Sequence, residues 1–369
     1  MVLKFLKEIY YLVPSLILLV FIYIPFGANL FFSNTEIIDN RDLKTKPVKL
    51  SSSYAQQFTD YYNDTFAGRK KLVVKYLKLK QALKIDTGQY FYGLNDWMFY
   101  DAAKINNGNS LLGYFGKFRF SQKDLSLLAD TLQKEKNFYE QYGAKFALMV
   151  ASDKENVYSE FMPKSLQKAR VSDIALSDDA FMYLKRHTDL HLIPTKQNLL
   201  AAKSSVPYAL YYKKDTHWNA IGSYVGFKAL MNEINPDFNV PDVTADMIEM
   251  AGLVNQDMHP IDKDMSYRIN YLSTMSFSRN EVIPQMVEIC ENVDAPLQQT
   301  VMIVGDSFAV ALIPYLAKTY NRVVVAPAGV KNRNFYENLM IRYHPNWVVH
   351  ELAERYFIRL PYGGKIFNQ

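Results

Sequence analysis

Short β-branched or apolar runs alternating with helix-like stretches predict an α/β fold with a mostly parallel central sheet, preceded by an N-terminal transmembrane helix. The runs are KFALMV (145–150), LHLIP (190–194), TVMIVG (300–305), RVVVAP (322–327) and NWVVHELA (346–353). Helix-like segments such as 121–142 and 219–233 lie between them, and parallel neighbours require such crossovers. No charged residue occurs from Ile9 to Phe32, and roughly 20 helical residues suffice to cross the apolar thickness of a bilayer. With 369 residues, 49% of them apolar, the chain also has material for a substantial core.

Residues 1–8 read as an N-terminal tail and 9–32 as a transmembrane anchor. A cleaved signal peptide fits less well, because no small-residue cleavage site stands out and the apolar run exceeds a signal core. Pro14 and Pro25 are tolerated in membrane helices. Lys4 and Lys7 precede the span while Arg41, Lys44, Lys46 and Lys49 follow it, so the count of basic residues does not favour a cytoplasmic amino terminus. Residues 33–53, polar and containing Pro47, read as a tether. Residues 54–86 read as a helical lead-in, with Phe58, Tyr61, Tyr62, Phe66, Leu72, Val73, Tyr76 and Leu79 at helical spacing. Residues 87–369 then form the main domain, in which 237–300 mixes Pro, Asp, Asn and Met without a clear period.

A formal charge of +5, from 42 basic and 37 acidic residues without a dense basic block, excludes a nucleic-acid footprint. A single cysteine, Cys290, excludes an internal disulfide and a Cys-based zinc site. His187 and His191 lie four apart, but the second begins a strand-like run and no third ligand follows, so no metal is expected, nor any cofactor. Glu351, Glu354 and Arg355 could line the site, but read first as an ion pair that closes the fold.

Two short motifs carry the chemistry. In GDSF, Ser307 falls on the turn from the run 300–305 into a helix-like stretch, where free backbone N–H groups can hold a developing oxyanion. A serine hydroxyl needs a base, and the base needs an orienting partner. In DTHWN, Asp215 and His217 supply both: in an extended segment they point to one side, carboxylate against one imidazole nitrogen, the other free to face a serine. Asn219 is placed to cap the helix that follows. Lys154 and Tyr158 follow the carboxyl end of a strand, the face where α/β sites gather, and are candidate substrate contacts.

DTHWN and GDSF, in this order and about ninety residues apart, resemble the SGNH-hydrolase-like domain of the alginate O-acetyltransferase family. NDTFAGRKKLV, YGLNDWMFYD, DKENVYSEFMP and WVVHELAERY resemble further family segments, and the likeness covers roughly residues 55–360. Asn95 stands where the family's pattern usually has glycine. The resemblance implies a three-layer SGNH-hydrolase-like fold with Ser307 as nucleophile, His217 as general base and Asp215 as its orienting carboxylate. It further implies an O-acetyltransferase acting on an exported polysaccharide, with a membrane-bound O-acyltransferase as acetyl donor partner. Together with the apolar span, it places the protein as a single-pass protein of the inner or cytoplasmic membrane, its catalytic domain in the periplasm or extracytoplasmic space. A carbohydrate acetylesterase and a non-catalytic glycan-binding scaffold are the competing readings. The second oxyanion donor is not assigned by the motifs.

Overall fold

A computed structural model of the chain describes residues 12–20, 23, 27, 43–83, 90–101, 110–255, 263–283 and 287–363. The chain divides into two compact units, one of residues 1–85 with 255–263, the other of 86–254 with 264–369.

In the first unit, the lead-in expected as one helical stretch is two helices, Tyr54–Thr65 and Arg69–Ala82. The break falls where Phe66 is extended (φ −62°, ψ 144°) and Gly68 takes φ 83°, a left-handed conformation that glycine adopts without a Cβ penalty. An apolar period that continues across the break concealed it. Residues 84–86 lie outside the described residues.

The expected transmembrane helix at 9–32 is not upheld. Among the described residues no helix is long and apolar enough to cross a membrane. Residues 12–20 are helical and exposed, and at 1.5 Å per residue they rise about 14 Å against the roughly 30 Å of a hydrocarbon core. Apart from Tyr23 and Gly27 the rest of that span lies outside the described residues, as do the tail 1–8 and the tether before residue 43. The single-pass membrane localisation read from the span falls with it.

The second unit begins with an antiparallel hairpin, β1 (Tyr90–Tyr92) and β2 (Met98–Tyr100). Its turn holds Asn95 at φ 53° and ψ 38°, the left-handed region that asparagine tolerates better than most residues, which accounts for its standing in a glycine position. The remaining strands are β3 (Lys145–Ala151), β4 (His191–Pro194), β5 (Ile248–Asn255), β6 (Lys263–Ile269), β7 (Ser278–Ile283), β8 (Val287–Glu291), β9 (Leu297–Gly305), β10 (Tyr320–Pro327) and β11 (Trp347–Ala353). Seven of them form one sheet in the order β4-β3-β11-β9-β10-β8-β7, while β5 and β6 pair separately. The five adjacent strands β4, β3, β11, β9 and β10 run parallel, and they are the five runs picked out in the sequence. β8 and β7 extend the sheet antiparallel and come from the stretch without a clear period. These two antiparallel strands carry polar residues, here Arg279, Glu288 and Glu291, which blurs the alternation.

Alternate residues of the parallel strands serve two cores. Phe146, Leu148, Val150, Met302, Val304, Val324 and Val348 pack with residues of the helices Gln122–Glu140, Leu176–His187 and Arg333–Tyr343, including Leu128, Leu184 and Tyr336. Ala147, Met149, Val301, Ile303, Val323 and Val349 pack on the other face with Ile221, Tyr224 and Leu316, from Ala220–Ile234 and Ile313–Thr319. The result is helix, sheet, helix, and burial on both faces is why these strands read as continuous apolar runs. Helix Gln122–Glu140 is started by a capping box in which Ser121 Oγ accepts the Asp124 N–H and the Asp124 carboxylate accepts the Ser121 N–H, both at 3.2 Å.

Phe146 is 1% exposed and stacks on Tyr139 at 5.8 Å between ring centres. Phe146→Ala is expected to lower stability by about 3–5 kcal/mol, seen as a lower denaturant midpoint at unchanged slope.

Candidate active site

Ser307 is delivered by the carboxyl end of β9, a central parallel strand. Gly305 closes the strand where no side chain fits: a Cβ there would lie 2.7 Å from the Ala309 Cβ and 2.8 Å from Glu351 Oε2. Asp306 caps the short helix Ser307–Val310, one carboxylate oxygen accepting the Phe308 N–H at 2.9 Å. Its other oxygen accepts the Ala353 N–H at 2.8 Å, which ties the turn to the end of β11. The Asp306 N–H in turn donates to Glu351 at 3.2 Å, and burial followed by the neighbouring Asp306 pushes that carboxyl well above the usual carboxylate range. With its neighbours pinned, Ser307 stands exposed at the rim of the sheet.

His217 arrives from the segment before helix Ala220–Ile234. Asn219 caps that helix by accepting the Ile221 and Gly222 N–H groups at 2.9 and 3.2 Å, and its amide donates to the Ala209 carbonyl at 2.6 Å. Tyr211 and Trp218 form an antiparallel bridge, inside which the Tyr212 N–H donates to the His217 carbonyl at 3.1 Å. Asp215 and His217 therefore occupy a tight bend, in contrast to the extended pair read from the sequence. The aspartate turns back on its own backbone: Asp215 Oδ1 accepts the His217 backbone N–H at 2.8 Å and contacts ring Nδ1 at 2.6 Å.

An ionised carboxylate only accepts, so Nδ1 carries the proton and Nε2 is left as an acceptor. Nε2 lies 2.7 Å from Ser307 Oγ. Burial acts to raise the Asp215 carboxyl, but the hydrogen bonds and charge of His217, with Lys154 beyond, bring it down to about 2. The two motifs are also joined directly. Trp218, 1% exposed, donates its indole N–H to the Phe308 carbonyl at 3.1 Å, and the Phe308 ring sits 4.9 Å from the imidazole.

Lys154 and Tyr158, expected as substrate contacts, are buried beneath the bend. The Lys154 ammonium donates to the carbonyls of Tyr212, Lys213 and Asp215 at 3.0, 3.2 and 2.7 Å. The Tyr158 hydroxyl accepts the Leu210 N–H at 2.8 Å, and its ring stacks on Trp97 at 4.5 Å. Three further residues that hold the bend had no sequence signal of this role. Arg355 pairs with Asp153 at 2.8 Å and donates to Thr216 Oγ1 at 2.7 Å, the Met98 N–H donates to the Lys213 carbonyl at 2.9 Å, and Asp264 accepts the Lys214 N–H at 2.9 Å. Among the described residues no group of His, Cys, Asp and Glu is placed to hold a metal. His187 takes the Tyr183 carbonyl of its own helix, and His191 takes Glu233.

Similar solved structures include Bacillus cereus PatB1, at TM-score 0.50 and 15% identity over 74% of this chain and 97% of that one. A DHHW family protein from Eubacterium siraeum matches at TM-score 0.49 and 11% identity over 76% and 96% of the two chains. The O-acetyltransferase domain of Pseudomonas putida AlgJ matches at TM-score 0.44 and 15% identity over 74% and 92%. At such identity the likeness to PatB1 shows the fold alone. No curated protein sequence matches the chain. The family described as "SGNH hydrolase-like domain, acetyltransferase AlgX" matches residues 91–330, well over half of the chain and inclusive of both motifs, and the chain belongs to that family.

Proposed function

We propose that the chain is an O-acetyltransferase acting on the hydroxyls of a polysaccharide, with Ser307 as nucleophile, His217 as general base and Asp215 as the carboxylate that orients it. Membership of an acetyltransferase family supports acyl transfer. The finer assignment rests on one observation, the unbroken hydrogen-bonded chain from Asp215 through His217 to Ser307 at 2.6 and 2.7 Å.

In the first half-reaction Ser307 Oγ bonds to the acetyl carbon of a donor while its proton passes to His217 Nε2. The bond between acetyl and donor then breaks, and the departing group takes that proton. In the second, a sugar hydroxyl gives its proton to Nε2 and its oxygen bonds to the acetyl carbon. Ser307 Oγ leaves with the proton restored. Asp215 holds the imidazole in the Nδ1–H tautomer and stabilises the imidazolium formed in each half. The Ser307 N–H, at the first position of its helix and so without an intrahelical acceptor, is the proposed oxyanion donor. A membrane-bound O-acyltransferase is the proposed partner that supplies acetyl groups, on the resemblance of the motifs to those of alginate O-acetyltransferases. The exposure of Ser307 suits an acceptor as large as a polymer, and it also admits water, which favours an acetylesterase as the second reading.

Purified chain supplied with an activated acetyl ester and an oligosaccharide is expected to yield acetylated sugar; free acetate without acetylated sugar would establish the esterase instead. Ser307→Ala is expected to lower turnover by roughly 10⁴- to 10⁶-fold, and unchanged acetylation by this variant would leave only a binding scaffold. Asp215→Asn should cost about 10⁴-fold in kcat by favouring the wrong tautomer. Because the Asp215 carboxyl sits at about 2 against an ordinary 3.8, its contribution to stability is present above pH 3.8 and lost as pH falls through 2. Acid titration of folding should accordingly be less steep in that window for Asp215→Asn than for the native chain.

A further inference from the structure

We infer that Lys154 is a positioning residue whose buried ammonium holds the Asp215–His217 bend in the geometry that aims the imidazole at Ser307. This rests on the roles proposed above for those three residues.

Lys154 is 1% exposed and lies on the short helix Lys154–Val157, which follows the carboxyl end of β3 after two intervening residues. An ammonium has three protons and no acceptor, and its three carbonyl partners, on Tyr212, Lys213 and Asp215, exhaust them. No donor remains for a substrate, so the amine works inward. The rings of Trp97 and Phe99 lie 5.4 and 5.2 Å from Nζ, which suits a cation and not a neutral amine.

The shortest of the three bonds, 2.7 Å, goes to the carbonyl of Asp215, the residue whose side chain carries His217. A shift of that carbonyl moves the carboxylate, and with it the ring. The clamp is local to the bend: Tyr158 and Asn219 secure the segments on either side of it, and Arg355 and Asp264 hold Thr216 and Lys214 within it.

Burial of the amine brings Lys154 down from 10.5 to about 8, opposed by Glu155 on its own helix, Asp215 in the bend and Asp264 on β6, and aided by Arg355 beyond β11. Tyr212, on the same bend, is raised above 10.0 by burial. A neutral amine has two protons for three carbonyls, so the clamp loosens as pH passes about 8. Stability moves the other way. Between about 8 and 10.5 the unfolded chain binds this proton more readily than the folded one, so the contribution of Lys154 to stability rises with pH. A merely structural prop would not separate activity from stability in this manner.

The test compares the native chain with Lys154→Met and Lys154→Arg, following acetyl-ester turnover against pH and the far-downfield proton resonance of the His217 ring Nδ1–H. In folded Lys154→Met, kcat is expected to fall about 10²-fold with KM within twofold, and the downfield resonance to be lost. The native chain should lose kcat above about pH 8 without loss of thermal stability, and Lys154→Arg, charged throughout, should lack that alkaline limb. Lys154→Met with native kcat and resonance, or with a defect confined to KM, overturns the inference. Should Lys154→Met not fold, a native profile flat to pH 10 overturns it equally. Full activity in Ser307→Ala would refute the proposed function, whereas the His217 resonance would still report whether Lys154 sets the bend.

Discussion

One carboxylate oxygen that accepts two N–H groups from the same residue organises this site. Asp215 Oδ1 takes both the backbone and the ring N–H of His217, so the conformation of the bend and the tautomer of the imidazole are set by one acceptor. The arrangement is compact because donor and acceptor lie two residues apart, and it needs little chain to order. It is also fragile, since a bend of polar residues has no periodic hydrogen bonding of its own. Its stability comes from outside: a buried ammonium takes three of its carbonyls, and a guanidinium, a backbone N–H of the β2 hairpin and a carboxylate of β6 each take one further contact.

Holding a polar bend this way requires burying charge. Asp153, Lys154, Glu155, Glu354 and Arg355 are all nearly inaccessible to solvent. Isolated, each would be costly to bury; Lys154 and Glu354 are hydrogen-bonded and Arg355 pairs with Asp153, while burial pushes the carboxyls of Asp153 and Glu155 above the usual carboxylate range. Glu354 shows the pattern, one oxygen accepting from Ser152 Oγ, the Asp153 N–H and Asn156 Nδ2 at 2.8 to 2.9 Å, the other from Ser177 Oγ. The cluster lies at the carboxyl ends of β3 and β11, between the sheet and the bend. Charge read in the sequence as a substrate contact at Lys154, or as a closing ion pair at Glu354 and Arg355, lies buried beneath the bend.

The sheet supplies the second constraint. β9 lies between β11 and β10, so the turn at Gly305 and Ser307 is braced on both sides. Asp306 and Glu351 carry that bracing into the turn itself, and the indole of Trp218 bonds the helix of Ser307 to the segment of His217. Two loops ninety residues apart therefore keep a common geometry through buried contacts, with Ser307 open to solvent above them.

The five parallel strands were legible in the sequence because burial on both faces leaves a run of apolar and β-branched residues in each, and Ser307, His217 and Asp215 could be singled out as candidates because a reactive serine, a base and a carboxylate have few substitutes. The antiparallel strands β7 and β8 were not, since strands that carry polar residues lose that contrast, and a helix period ran unbroken through Gly68. Lys154 and Tyr158 could be placed at a strand's end but not assigned a side of the chain, as an amine reads the same whether it meets a ligand or three carbonyls. Residue identity alone determined which strands form the parallel set and which groups could react. Tertiary structure alone decided which way those groups face, because direction depends on partners such as Met98, Asp264 and Arg355 that lie far off in the chain and meet the bend only once the sheet has closed.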